Sequence, residues 1–140
     1  MIFFETPYDQ PERVYIIAEA GVNHNGDVEL AKKLIDCASD SGADAVKFQT
    51  FDPSALVTAT GAKADYQIKN TGDDGSQLKM LEGLTLENEE FKAIQKYAKR
   101  KRIEFISTPF DHNSLRFLVK QLDVRYIKIG SGDLTNAPLL

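Results

Sequence analysis

Two lysines sit inside apolar, strand-like runs: Lys47 in AVKFQTF (45–51) and Lys128 in YIKIGSGD (126–133). Strand alternation puts Lys47 and Gln49 on one face, with Val46, Phe48 and Thr50 on the other. In the second run it sets Lys128 and Gly130 against Ile127 and Ile129. A lysine within an apolar strand costs free energy unless its charge meets an anion or a carboxylate. The plain reading is a solvated lysine on an edge strand, or a structural lysine filling a barrel interior. The sharper reading is a phosphate or carboxylate site. In it the ammonium groups supply charge, and the Thr108 and Ser131 hydroxyls, with Gly-flanked backbone N–H groups, supply directed hydrogen bonds. Glu19 and Asp133 would then face a polyhydroxylated or carbonyl partner as hydrogen-bond acceptors or proton handlers. Each residue alone has a plainer role, Glu19 as the ion-pair partner of Lys47 or Lys128 and Thr108 as a helix or turn cap. Their recurrence at matching places gives the set its weight.

The elements that must hold them follow one another with regular spacing. An irregular lead-in, punctuated by Pro7 and Pro11, gives way to an apolar first strand at 14–20. Gly21 and the NHNG tetrad close it, Asn25-Gly26 being a strong turn signal. Asp27 is placed to cap a helix over 28–41 that Gly42 ends, with Leu30, Leu34, Ile35, Cys37 and Ala38 at near-helical spacing. A second strand over 45–51 leads into a long connection, 52–84, with a small-residue tract at 58–64 and a polar run at 69–75. A connection of that length is usually functional or disordered. Part of it, 77–84, carries Leu78, Leu81 and Leu84 at helical spacing. Thr85 is a candidate N-cap for a helix over 87–100, with an incomplete capping box because Asn88 stands three residues on. A third strand over 103–108 ends at Pro109, and a helix spans 111–121. The YIKIGSGD stretch supplies the fourth strand, after which Thr135 or Asn136 would cap a further helix with Pro138 in its first turn.

The order β-α-β-α-β-α-β means parallel strands with crossover helices. No phosphate-binding glycine fingerprint follows the first strand, so a dinucleotide fold is disfavoured. Polar residues near the C-terminal ends of the strands are where barrel enzymes put their chemistry. The fold class expected is therefore α/β, the first half of a (β/α)8 barrel occupying residues 1–140. Four strands leave two open edges and one uncovered interior face, so a truncated chain, a fragment or a ring completed by a homodimer is expected.

The bulk numbers agree with a soluble globular domain: 140 residues, 42% hydrophobic and 27% charged. A net charge of −4 gives no reason to expect a nucleic acid or an anionic membrane as partner. The N-terminus has neither a basic n-region nor an apolar h-region, and no window approaches a membrane span. A cytoplasmic location is expected. Cys37, the one cysteine, reads as a small core residue rather than a nucleophile.

IIAEAGVNHNGD, AVKFQTF, ISTPFD and IKIGSGD, in that order and spacing, resemble the N-terminal barrel of the sialic acid synthase family, with its neuraminate, legionaminate and pseudaminate branches. The resemblance runs from about Val14 to Leu140. It implies an enzyme that condenses phosphoenolpyruvate with an N-acetylated amino sugar, such as N-acetylmannosamine, and releases phosphate. A divalent metal, Mn2+ or Mg2+, would polarise the sugar aldehyde. By the same resemblance Lys47, Thr108, Lys128 and Ser131 hold phosphoenolpyruvate, Glu19 and Asp133 face the sugar, and Gln49 lies beside the reacting centre. Asn70, with Tyr66 nearby, falls in the loop where relatives carry a sugar-contacting asparagine. The catalytic set is thus Glu19, Gln49 and Asp133.

The chain also departs from that family's pattern. The metal-binding histidines of the second half-barrel and a small antifreeze-like C-terminal domain have no counterpart here. His24 and His112 read as loop or capping residues, so no metal ligand is assigned in this chain, and the 140 residues alone are expected to be inactive. A homodimer is expected of the full-length protein. Two other readings stay open: a Schiff-base lysine at Lys128, as in class I aldolases, and a non-catalytic anion-binding fragment. The amino sugar itself cannot be chosen from these residues.

Overall fold

The computed structural model describes residues 14–57 and 76–140. Three parallel strands, β1 (Ile17–Gly21), β2 (Ala45–Thr50) and β3 (Glu104–Pro109), lie side by side in chain order. Helix α1 (Val28–Asp40) joins β1 to β2. Between β2 and β3 lie α2 (Pro53–Leu56), α3 (Gln77–Glu82) and α4 (Asn88–Arg100), and α5 (His112–Lys120) follows β3.

The alternation in the strands decides which face is dry. Val46, Phe48 and Phe105 turn to the helices and join Ala31, Ile35 and Ala38 of α1, Phe91, Ile94 and Ala98 of α4, and Phe117 and Leu118 of α5 in one buried cluster. Phe48 stacks on Phe105 at 5.5 Å between ring centroids, and Phe91 meets Phe117 edge to face at 6.2 Å. The opposite face carries Glu19, Lys47 and Gln49, so the sheet is a wall with a packed back and a polar front. This is the parallel βα architecture expected of barrel units.

Local chemistry sets most boundaries. The Asp27 carboxylate accepts from the N–H groups of Glu29 (2.7 Å) and Leu30 (3.1 Å), which opens α1 as expected. Asn25 and Gly26 have φ of 48° and 72° and form the centre of a turn closed by Asp27 N–H to His24 C=O at 2.8 Å. Gly42, at φ 77°, turns the chain out of α1.

Four expectations need correction. Helix α4 is capped two residues later than expected: Glu87 is extended, and its N–H donates to the Glu90 carboxylate at 2.8 Å, forming a capping box that the Thr85 register would not. Cys37 is exposed, because it lies about 200° around α1 from the buried Ile35. The fourth strand is reduced to one parallel bridge, Ser107 to Ile127, with Lys128 N–H donating to Ser107 C=O at 3.2 Å. A ladder needs consecutive pairs, and beyond Gly130 the chain turns into a 3-10 helix, Ser131–Asp133. No α-helix then starts at Thr135 or Asn136. Asn136 N–H instead closes a turn onto Asp133 C=O at 3.0 Å.

Candidate active site

The site begins with register. Glu19 of β1 stands directly opposite Lys47 of β2, and Gln49 of β2 stands opposite Thr108 of β3. Paired residues of parallel strands project to the same side, so all four line the polar front of the sheet. The Lys47 ammonium forms an ion pair with the Glu19 carboxylate, the lysine side chain being 12% exposed and the glutamate 51%. Of the two partners left open by the sequence, Lys47 is therefore the one Glu19 takes.

A bulge between Glu19 and Gly21 shifts the β1–β2 register just past this pair. Bulges re-aim the side chains around them. Here Gly21, at φ 55°, is covered from above: a Cβ on it would lie 3.2 Å from Glu19 Oε1 and 3.5 Å from Gln49 Nε2. The carboxylate and the amide thus converge over one glycine, and a larger residue there would push them apart.

A second group forms where β3 ends. Thr108 is 2% exposed, and its buried hydroxyl has no hydrogen-bond partner among the described residues. A Cβ on Gly130 would stand 3.2 Å from Asp133 Oδ2 and 3.8 Å from Thr108 Cγ2, with the Phe110 ring edge at 3.5 Å. Asp133 is steadied by Asn136, whose Nδ2 donates to Oδ1 at 3.1 Å. Because Ile127 pairs with Ser107, Lys128 falls on the Thr108 side of the sheet. Lys128 and Ser131 are both exposed, and neither side chain has an ion pair or hydrogen bond with a described residue.

So Glu19, Lys47 and Gln49 form one group, Thr108 and Asp133 with Gly130 form another, and the Gln49–Thr108 register joins them. Lys128 and Ser131 flank the second group in the chain, on either side of Gly130. Asn70 and Tyr66 lie outside the described residues.

Several supports escaped the sequence reading. His24 is fully buried against Phe48, with ring centroids 6.0 Å apart, and its Nδ1 accepts from Gly26 N–H at 3.1 Å. Burial pushes its pKa below the ordinary histidine value, against a smaller upward pull from Glu90. Asp111 ties the strand ends together, since one oxygen accepts from Asp52 N–H at 2.8 Å and from the Ser114 hydroxyl at 2.7 Å. The NHNG and TPFD motifs carried both residues, but nothing local says what a side chain will meet across the sheet. His112 is exposed at the start of α5. Among the described residues no three His, Cys, Asp or Glu side chains gather to hold a metal ion. Among the same residues, no helix is long and apolar enough to cross a membrane.

An ammonium, a buried hydroxyl without a partner, an amide and two carboxylates, set on the C-terminal ends of parallel strands, can bind an anion beside a polyhydroxylated molecule. Comparison with known proteins gives the family. The chain is 49% identical over 129 residues to the N,N'-diacetyllegionaminic acid synthase of Campylobacter jejuni, covering 92% of this chain and 38% of that protein. It is 50% identical over 126 residues to the synthase of the same name from Legionella pneumophila, covering 90% and 35%. Among solved structures, the N-acetylneuraminic acid synthetase of Leptospira borgpetersenii, in complex with citrate, matches with a TM-score of 0.71 at 33% identity, over 90% of this chain and 39% of that one. The chain thus spans little more than a third of the length of these relatives. The NeuB family model matches residues 34–140, and the chain belongs to the NeuB family.

Proposed function

We propose that this chain carries the phosphoenolpyruvate-binding part of a sugar acid synthase that condenses phosphoenolpyruvate with an N-acetylated amino sugar and releases inorganic phosphate. The observation that carries the reading is Thr108. Its hydroxyl is buried without a partner among the described residues, and it stands in register with Gln49, on the face that holds Lys47. Leaving such a group unpaired costs about 1–3 kcal/mol, and an anionic oxygen arriving beside Lys47 would offset that cost. The names of the relatives lend support, and their 49–50% identity favours a legionaminic-type product over the N-acetylneuraminate-9-phosphate kind, whose synthases from Drosophila melanogaster and Homo sapiens are 39% and 33% identical.

In this reading Lys47 and Lys128 balance the phosphate and carboxylate charge, while Thr108 and Ser131 donate to their oxygens. C3 of phosphoenolpyruvate attacks the aldehyde carbon of the open-chain sugar, forming the new C–C bond. Water adds at C2 and the C–O bond to phosphate breaks. Glu19 and Asp133 accept hydrogen bonds from the sugar and handle its protons, and Gln49 orients groups at the reacting centre. The resemblance also carries a divalent metal, Mn2+ or Mg2+, acting on the aldehyde. The described residues offer no ligand set for it, and the steps assigned to this chain's side chains do not pass through it.

Release of phosphate from phosphoenolpyruvate, with Mn2+ and either N-acetylmannosamine or a diacetylated amino sugar, tests the reading in the protein that carries this sequence. No release with any such sugar would sink it. The 140 residues alone should release none, because the site they build stays open on one side.

A further inference from the structure

The Glu19–Lys47 pair raises a question about that same site. Lys47 is the more deeply set member, and a carboxylate already sits on its ammonium. An anionic substrate therefore meets a carboxylate already in place, with which it competes for the Lys47 charge. We propose that Glu19 holds the anion position in advance, so that binding of an anionic substrate at Lys47 is an exchange of ion-pair partners. The proposal rests on the assignment of Lys47 to anion binding.

Three features suit an exchange. Among the described residues Lys47 is the more deeply set of the two, at 12% exposure against 51% for Glu19, so the carboxylate is the member that moves and the ammonium stays to receive the next anion. The other Glu19 oxygen lies over Gly21, as does the Gln49 amide nitrogen, at 3.2 and 3.5 Å from a Cβ built on that glycine. A displaced carboxylate thus has a donor close at hand. The bulge after Glu19 also frees its stretch of β1 from strict register with β2. A half-exposed pair is worth up to about 1 kcal/mol. That is too little to exclude a multiply charged substrate, yet enough to be visible in its affinity. An uncharged ligand has nothing to offer Lys47 in return, so the pair also screens the position for anions.

The exchange predicts a sign that a purely structural pair does not. Phosphoenolpyruvate binding is measured by titration calorimetry on the protein that carries this sequence, as wild type, Glu19→Gln, Lys47→Met and the double variant. Glu19→Gln should bind about two- to fivefold more tightly while losing turnover, and the gain should vanish when Lys47→Met is added. If Glu19 merely holds Lys47 in place, Glu19→Gln binds more weakly. Equal or weaker binding by Glu19→Gln, with wild-type binding intact, overturns the exchange and leaves the function standing. Failure of the wild type to bind overturns both. Melting curves check that each variant is folded, and Glu19→Ser replaces Glu19→Gln in the same comparison should the latter unfold.

Discussion

Thr108 faces Gln49 across the β2–β3 ladder, and its buried hydroxyl has no hydrogen-bond partner among the described residues. A buried group of this kind calls for a partner, and the proposed function supplies one in a substrate oxygen. Stability and binding should therefore part company at this position. Thr108→Val keeps the shape and removes the hydroxyl, so it should leave the melting temperature unchanged or raise it, by the equivalent of about 1 kcal/mol. The same change should weaken phosphoenolpyruvate about tenfold, the worth of one hydrogen bond to a charged group. A variant that loses stability and keeps its affinity would show that the hydroxyl serves the fold.

Gly26 tests the turn that follows β1. It sits at φ 72°, and a Cβ there would come within 3.0 Å of the Gly83 carbonyl oxygen. Gly26→Ala meets strain in the backbone and a collision with a backbone atom that has no free end to move. A loss of about 2–3 kcal/mol is expected, read as a lower urea midpoint at unchanged slope. Gly42 has a similar φ of 77° but open space around it, so Gly42→Ala should cost only about 1 kcal/mol.

His24 gives the fold a pH dependence of known sign. Burial lowers its pKa in the folded chain below the value of 6.5 that the unfolded chain would show. Between those two values the unfolded state binds the extra proton. Stability is therefore fully present above about pH 6.5, and it is lost as pH falls from there through the folded value, at up to about 1.4 kcal/mol per pH unit. The lowered carboxyl groups of Asp36 and Asp52 act further down, below their ordinary value of 3.8. Urea midpoints between pH 7.5 and 5 should fall for the wild type and stay flatter for His24→Asn, which keeps an acceptor for Gly26 N–H. Parallel slopes in the two proteins would remove His24 as the cause.

What the sequence by itself determined was everything with a short period or a local partner. The two-residue alternation of AVKFQT placed Lys47 and Gln49 together and Phe48 behind them, because a strand has only two faces. Asp27 announced α1, and Asn25-Gly26 its turn, since a cap and a tight turn are made by residues two or three apart. The motifs also named the residues of the proposed anion site, because each motif keeps its polar residues within a few positions of one another.

Tertiary structure alone decided which of these residues meet. Whether Glu19 pairs with Lys47 or Lys128 depends on the register of β1 on β2, and no spacing within either strand states it. The exposure of Cys37, the burial of His24 against Phe48 and the shrinking of the fourth strand to a single bridge likewise depend on neighbours far away in the chain. The physical reason is common to all of them. Backbone alternation and capping cost and gain their free energy within a few residues, whereas register and burial are set by hydrogen bonds and packing between segments that only the folded chain brings side by side.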